Sequence, residues 1–221
     1  MTDVAVISGA NRGIGLELAR TLAGRGMTVV AGARDADRVP AVDGDVHPHA
    51  LDVADDASVR ELASWVSGEL GRVDVLVNNS GIYPGGRASE LDLGVAERAW
   101  QVNALGAWRL ANALVPLMGR GARIVNVSSG AGSLSSMDGS MPAYNVSKAA
   151  LNAITRVLAA DLRGRGILVN SVCPGWVRTD MGGSSATRSV AEGAASVLWA
   201  VDLDADGPTG GFYRDGEPVA W

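Results

Sequence analysis

A single doubly wound α/β domain over residues 1–221, with about seven mostly parallel strands and helices on both faces, is predicted by three observations. Short β-branched runs alternate with amphipathic helical stretches along the whole chain, the pattern of a parallel sheet joined by helical crossovers. A glycine-rich turn stands between the first strand and the first helix. Polar residues and glycines gather where successive strands end, the edge at which open α/β sheets bind ligands. No internal repeat, low-complexity tract or linker interrupts the pattern.

Composition narrows the class of function. Apolar residues make up 47% of the chain and charged ones 19%, enough to bury a substantial core and without a signature of disorder. The net charge is −5 and no basic stripe appears, which argues against a nucleic-acid partner. Cys173 is the only cysteine, so an intrachain disulfide and a cysteine-rich metal site are excluded. His47 and His49 flank Pro48 in a polar stretch with no further His or Cys nearby; they read as solvated side chains, and no metal is expected. The first residues run directly into a strand, and no apolar run reaches the ~18 residues that span a bilayer. A soluble, cytoplasmic protein without a membrane partner is the expectation.

The elements follow in order. Residues 4–7 form a β-branched run suited to a buried parallel strand. They lead into Ser8-Gly-Ala-Asn-Arg-Gly-Ile-Gly15 and a helical pattern over 16–23, closed by Gly24 and Gly26. In that setting Gly9 permits the tight turn, while Gly13 and Gly15 let backbone approach a ligand and let the helix pack on its strand. With Asn11, Arg12 and Ile14 they make a candidate phosphate cradle, since the N–H groups of a helix start, aided by its dipole, attract anions. A purely structural turn is the competing reading.

The second strand, 28–31, leads to Gly32-Ala33-Arg34. An acid at this tip would bind the ribose 2′-hydroxyl of NAD, whereas an arginine accommodates the 2′-phosphate of NADP. Arg34, with Arg12 in reach, favours NADP(H) over NAD(H); Asp35 leaves an ambiguity, because a slip of one residue restores an acid. Residues 35–44 are too short for a full crossover helix. Residues 49–53 close the third strand and put Asp52, followed by Val53, at its C-terminal end. Asp52 either accepts from an adenine amine or caps the next helix, which runs over 55–70. The fourth strand, 73–77, delivers Asn78-Asn79-Ser80-Gly81, a turn whose amides can touch a ligand.

A long helix is expected over 93–118, with Asn103 in its interior. Asparagine is a poor helix-interior residue, so if buried it should bond something specific. The fifth strand, 121–127, ends in Ser128-Ser129, and the Gly/Ser/Met-rich stretch to Pro142 reads as a mobile substrate loop or a surface connection. A helix over 143–162 carries Tyr144-Asn-Val-Ser-Lys148. The sixth strand is 166–172, followed by Cys173-Pro174-Gly175-Trp176-Val177 and Thr179, whose backbone is placed to contact a nicotinamide amide. Residues 182–188 read as a flexible lid, 189–200 as a short helix and 211–214 as a last short strand.

Tyrosine and lysine four apart share one helix face. A lysine cation near a phenol favours the phenolate and lowers its pKa, which makes a general acid or base. Of nineteen basic residues, Lys148 is the only lysine: the compact ammonium has been kept at the one place where arginine cannot replace it. An ordinary exposed Tyr–Lys pair is the plain alternative from spacing alone.

Taken together these motifs resemble the short-chain dehydrogenase/reductase family over nearly the whole chain. The glycine turn is similar to TGxxxGIG with Ser8 for the first Thr, Asn78-Asn-Ser-Gly81 to NNAG, and Pro174-Gly175 to the family's PG. The tip Ala33-Arg34, Val127-Ser-Ser129 and the tail from Phe212 to Gly216 look most like the NADPH-dependent carbonyl reductase branch. The resemblance implies a Rossmann fold, a homodimer or homotetramer, and a small carbonyl or alcohol substrate. By the same resemblance Tyr144 is the acid/base, and Lys148 lowers its pKa and binds the nicotinamide ribose. Ser129 orients the carbonyl, Asn103 holds a relay water and Thr179 contacts the carboxamide. Gly9, Asn11, Arg12, Gly13, Ile14, Gly15, Arg34, Asp52, Val53, Asn79, Ser80, Gly81, Pro174, Gly175 and Val177 complete the implied cofactor contacts.

Fifteen positions separate Ser129 from Tyr144, longer than the family's commonest spacing, so Ser128 and Ser133 are competing partners for the carbonyl. The trimmed lid implies an open pocket and a broad or bulky carbonyl substrate. Two other functions keep the same apparatus: a reductase of an acyl-carrier-bound ketone, which would need a basic docking patch among Arg87, Arg178 and Arg188, and a silent NADP(H) sensor, which would have no need of Ser129, Tyr144 and Lys148.

Overall fold

In the computed structural model, which describes residues 2–221, the chain runs β1 (Val4–Ser8), α1 (Gly13–Gly24), β2 (Thr28–Ala33), β3 (Val46–Ala50), α2 (Asp56–Glu69) and β4 (Val73–Asn78). It continues through α3 (Leu93–Trp100), α4 (Gly106–Leu114), β5 (Met118–Val127), α5 (Pro142–Leu162), β6 (Leu168–Val172), α6 (Val190–Val201), β7 (Phe212–Arg214) and β8 (Glu217–Pro218). The strands lie in the order β3-β2-β1-β4-β5-β6-β7-β8. All pair in parallel except β8, which runs antiparallel to β7. The order reverses between β1 and β4, and a crevice opens there at the carboxyl ends of the strands.

Strand residues alternate between two cores. Val6, Val30, Leu76, Ile124 and Val169 meet α2, α4 and α5 on one face. Ile7, Val29, Ala31, Val77 and Val125 meet α1 and α6 on the other. Among the described residues no helix is long and apolar enough to cross a membrane.

Several expectations need correction. The helix expected over 93–118 is broken: residues Gln101–Leu105 form one π-helical turn, and after α4 a 3₁₀ turn containing Pro116 leads into β5, which already begins at Met118. The π turn sits where Asn103 turns its amide onto the backbone of Ile82, a functional position typical of such bulges. The third strand ends at Ala50, not Val53, because the Leu51 N–H makes the last bond to Ala33 and the Asp52 carboxylate bends the chain by accepting from the Ala54 N–H at 2.9 Å. An eighth strand joins the expected seven through Asp215 and Gly216, both at positive φ (53° and 84°), the two-residue turn that a hairpin favours. His47 pairs with Asp45 at 2.9 Å, and both imidazoles pack on Trp65 rather than standing free in solvent.

Beneath the site runs a buried polar chain that sequence patterns do not report. Asn78 Nδ2 donates to Asn126 Oδ1 at 2.8 Å, Asn126 Nδ2 donates to Thr155 Oγ1 at 2.8 Å, and Thr155 meets Ser171 Oγ at 2.7 Å. It ties β4, β5, α5 and β6 together just below the strand ends. Asn126→Ala orphans the amide of the buried Asn78, and a cost of about 2–4 kcal/mol is expected from the unsatisfied group and the lost side chain. Urea unfolding checks it: a midpoint within error of wild type would mean that the network holds nothing.

Candidate active site at the switch point of the sheet

One cleft of about 900 Å³ runs across the carboxyl ends of β1, β2, β4, β5 and β6 and collects nearly every residue singled out above. Its floor is the glycine turn. Gly9 and Gly13 take φ of +68° and +53°, a region that side chains disfavour. Gly15 is required by packing within the chain, since a Cβ there would lie 2.3 Å from the Gly9 carbonyl oxygen. Ser8 takes the first position of the motif and accepts from the N–H groups of Asn79 and Ser80, both at 3.0 Å. Asn79 Nδ2 in turn donates to the carbonyls of Ser8 and Gly9. The Asn-Asn-Ser-Gly turn therefore braces the glycine turn. Arg12 stands at the start of α1 without a side-chain cap, and the first turn carries no acid, which leaves the helix start open toward the cleft for an anion. A pyrophosphate fits this cradle.

At the tips of β2 and β3 stand the residues expected to meet a cofactor. Arg34 lines the cleft. Asp35 turns away to cap the next turn, accepting from the Asp37 N–H at 3.2 Å, so the slip that would have restored an acid does not occur. Arg12 is committed differently from the expectation: its guanidinium bonds Asp180 across the cleft. Asp52 and Val53 line the cleft, while Asp55 is the residue that caps α2.

The chemical centre lies where β5 meets α5. Tyr144 and Lys148 are both buried, and the ammonium sits 5.8 Å from the phenol ring centroid. Lys148 Nζ donates to the Val127 carbonyl at 2.7 Å. Burial pushes the Lys148 pKa down to about 8. Burial also pushes Tyr144 up to about 12, against the opposing pull of the nearby Ser129 hydroxyl. This reverses the expected lowering of the phenol: loss of water around the buried ring favours its neutral form, and the phenol is held as a protonated donor. The nearby Asn103 Oδ1 accepts from the Ile82 N–H at 2.7 Å, and Nδ2 donates to the Ile82 carbonyl and to Ser147 Oγ, each at 2.9 Å. A Cβ on Gly81 would lie 3.4 Å from Asn103 Oδ1 and 3.7 Å from Lys148 Nζ. Glycine keeps that gap open.

Among the three serines, Ser129 is the one near enough to lower the phenol pKa, while its hydroxyl accepts from the Ala131 N–H at 3.2 Å. Ser128 is buried in the cleft wall and Ser133 is turned to Ser135 at 2.8 Å. The loop after Ser129 is pinned in its first half, contrary to the mobile loop expected: a Cβ on Gly132 would clash with Lys148 at 2.7 Å, and Asn152 donates to the Gly132 carbonyl. The lid over 182–188 is likewise folded back, with backbone bonds from Arg178 to Arg188 and from Arg188 to Trp176. Pro174, Gly175, Val177 and Thr179 line the opposite wall, where the Thr179 hydroxyl accepts from the Gly182 N–H at 3.2 Å.

Sequence reasoning missed several wall residues. Tyr83 packs edge-on to Tyr144 with centroids 4.7 Å apart. Met141 adopts a left-handed φ of 45° just before Pro142 and faces the cleft, the kind of strain that persists at functional sites. Arg98 and Arg214 also line the cleft. The arginines weighed as a docking patch are all engaged: Arg87 with Glu90, Arg178 with the carbonyls of Ala186 and Thr187, Arg188 with Asp215.

Residues 3–189 match the family model described as short chain dehydrogenase. The chain is 32% identical to carbonyl reductase [NADPH] 1 of Sus scrofa, over 100% of this chain and 94% of the relative. It is 34% identical to (+)-neomenthol dehydrogenase of Arabidopsis thaliana over 95% of each. Among solved structures, the NADPH-bound carbonyl reductase from chicken fatty liver superposes with a TM-score of 0.89 at 28% identity, covering 100% of this chain and 94% of that one. The carbonyl reductase Sniffer of D. melanogaster gives 0.88 at 31% identity, covering both chains fully.

Proposed function

The chain belongs to the short-chain dehydrogenase family, and from that premise we propose that it reduces ketones or aldehydes with NADPH and runs in reverse as an alcohol dehydrogenase. The observation that carries this reading is the buried, protonated phenol of Tyr144, with Ser129 beside it and Lys148 behind it, at one end of a cleft whose other end holds the glycine turn and Arg34. When bound, the cofactor supplies the hydride. Gly9, Asn11, Gly13, Ile14 and Gly15 would hold its pyrophosphate and Arg34 its 2′-phosphate. Asp52 and Val53 would flank the adenine, and the segment Pro174–Gly175–Val177–Thr179 the carboxamide.

The residues of the chain then do three things. Ser129 and Tyr144 bond the carbonyl oxygen, orienting it and stabilising the negative charge that develops there. Tyr144 gives its proton to that oxygen. Lys148 favours the phenolate left behind, and we place the refilling water in the gap beside Gly81, with Asn103 positioning the Gly81–Ile82 backbone around it. The substrate is a carbonyl compound large enough to reach the apolar walls at Tyr83, Met141 and Trp176.

Tryptophan fluorescence titration with NADPH and NADH tests the cofactor assignment. NADPH should bind more tightly. Arg34→Ala should weaken NADPH by roughly ten- to a hundredfold, the worth of one or two hydrogen bonds to a charged group, and leave NADH nearly unmoved. Tighter NADH binding by wild type would sink the 2′-phosphate assignment. A carbonyl screen with Tyr144→Phe as its control tests the reaction itself.

A further inference from the structure

The substrate end of the cleft carries a cation that the proton-delivery chemistry does not use. Arg214 ends β7, beside β6 and on the far side of the sheet from the Arg34 tip of β2. Its Nη2 donates to Cys173 Sγ at 3.0 Å. A Cβ added at Gly130 would lie 2.9 Å from the same nitrogen, so the guanidinium sits one residue along from Ser129, whose hydroxyl neighbours the Tyr144 phenol.

Arg214 enters none of the ion pairs among the described residues. The adjacent carboxylate, Asp215, is already held by Arg188 through two bonds of 2.9 and 2.8 Å. Other cations of the cleft are occupied: Arg12 by Asp180, Arg178 by two carbonyls, Lys148 by the Val127 carbonyl. A guanidinium bonded to a thiol alone keeps N–H donors in a planar fork that matches a carboxylate. The same cleft is also lined by the apolar side chains of Met141, Trp176 and Met181.

We propose that Arg214 recognises a carboxylate on the substrate, so that the preferred substrates are ketones or aldehydes bearing an anionic group at the far end of a short hydrocarbon or aromatic body. This rests on the reductase reading given above. The carboxylate takes no part in the chemistry: hydride goes to the carbonyl carbon, the Tyr144 proton to its oxygen, and the acid group fixes which face and depth the carbonyl presents.

The test compares 4-acetylbenzoate with its methyl ester as substrates, with saturating NADPH. Wild type should prefer the acid by at least about tenfold in kcat/KM, and the preference should shrink as salt rises. Arg214→Met should cut the acid-to-ester ratio by roughly ten- to a hundredfold, through KM, and Arg214→Lys should restore part of it. A wild type that reduces the ester as well as the acid overturns the proposal. So does a preference that survives in Arg214→Met, or one that disappears instead in Arg98→Met, another cleft cation outside the ion pairs. If neither compound is reduced, the reductase reading falls, and calorimetric titration of both compounds into the protein–NADPH mixture still decides the matter. Acid binding that weakens tenfold or more in Arg214→Met supports the proposal, and equal binding of acid and ester by wild type overturns it.

Discussion

Tyr144→Phe is expected to lower kcat for carbonyl reduction by roughly a thousandfold, the middle of the range for a positioned general acid. The substitution deletes one oxygen and little else. The ring stays edge-on to Tyr83 at 4.7 Å and beneath the Lys148 ammonium, so both the cleft and the fold survive. NADPH affinity should therefore stay within about twofold, because the glycine turn and Arg34 hold the phosphates and lie at the other end of the cleft. Ser129→Ala should cost less, about ten- to a hundredfold: it removes one of two donors to the carbonyl oxygen and leaves the proton in place. Single-turnover loss of NADPH absorbance, with fluorescence titration alongside, separates the two parameters. Retention of more than a tenth of kcat by Tyr144→Phe would move the acid to another group.

Much of this arrangement is legible in the amino-acid sequence, and the failures have particular causes. β-Branched runs and the glycine turn report local rules of backbone and burial, so β1, β2, β4 and the cradle around Gly9 lie where the pattern puts them. Asp35 against Arg34 is a question of one residue of register, and only the cap that Asp35 makes on Asp37 answers it. The Asp215-Gly216 hairpin carries a signal in its two turn residues, but β8 is only two residues long and shows no period of its own. Arg214 is legible as a charge and not as a wall of the site: it meets Cys173 through the pairing of β7 with β6, 41 positions apart in sequence. The lid and the serine loop read as mobile from glycine and serine content, yet backbone bonds and close packing on Lys148 hold them, and composition does not report such contacts. The tyrosine pKa fails for a physical reason: spacing shows that a charge is near, whereas burial decides whether solvent or charge dominates.

Lys148→Met should separate activity from stability in opposite directions. The ammonium lies 5.8 Å from the phenol ring centroid, and its loss should lower kcat/KM for reduction by roughly 10²–10⁴-fold. Stability should rise. Burial lowers the Lys148 pKa to about 8 in the folded protein against 10.5 in the open chain, so folding at pH 7 works against a protonated lysine, at a cost of about 3 kcal/mol. The lost bond to the Val127 carbonyl takes back about 1 kcal/mol, which leaves a net gain of about 2 kcal/mol and a rise of several degrees in Tm for a chain of this length.

The pH dependence follows with its sign. For a base whose folded pKa is depressed, the unfolded chain binds the extra proton between about pH 8 and 10.5, so wild-type stability climbs through that window. In Lys148→Met the climb should vanish. Reduction moves the other way. Tyr144, at about 12, stays protonated throughout, and it is the ammonium that titrates, so wild-type kcat/KM should hold below pH 8 and fall above it. Thermal melts and rate profiles across pH 6–11.5 read both effects from the same two proteins. A falling limb that begins only above pH 10 would assign the titration to the phenol, and a Tm for Lys148→Met below wild type at pH 7 would mean that the buried ammonium is stabilised by contacts beyond Val127.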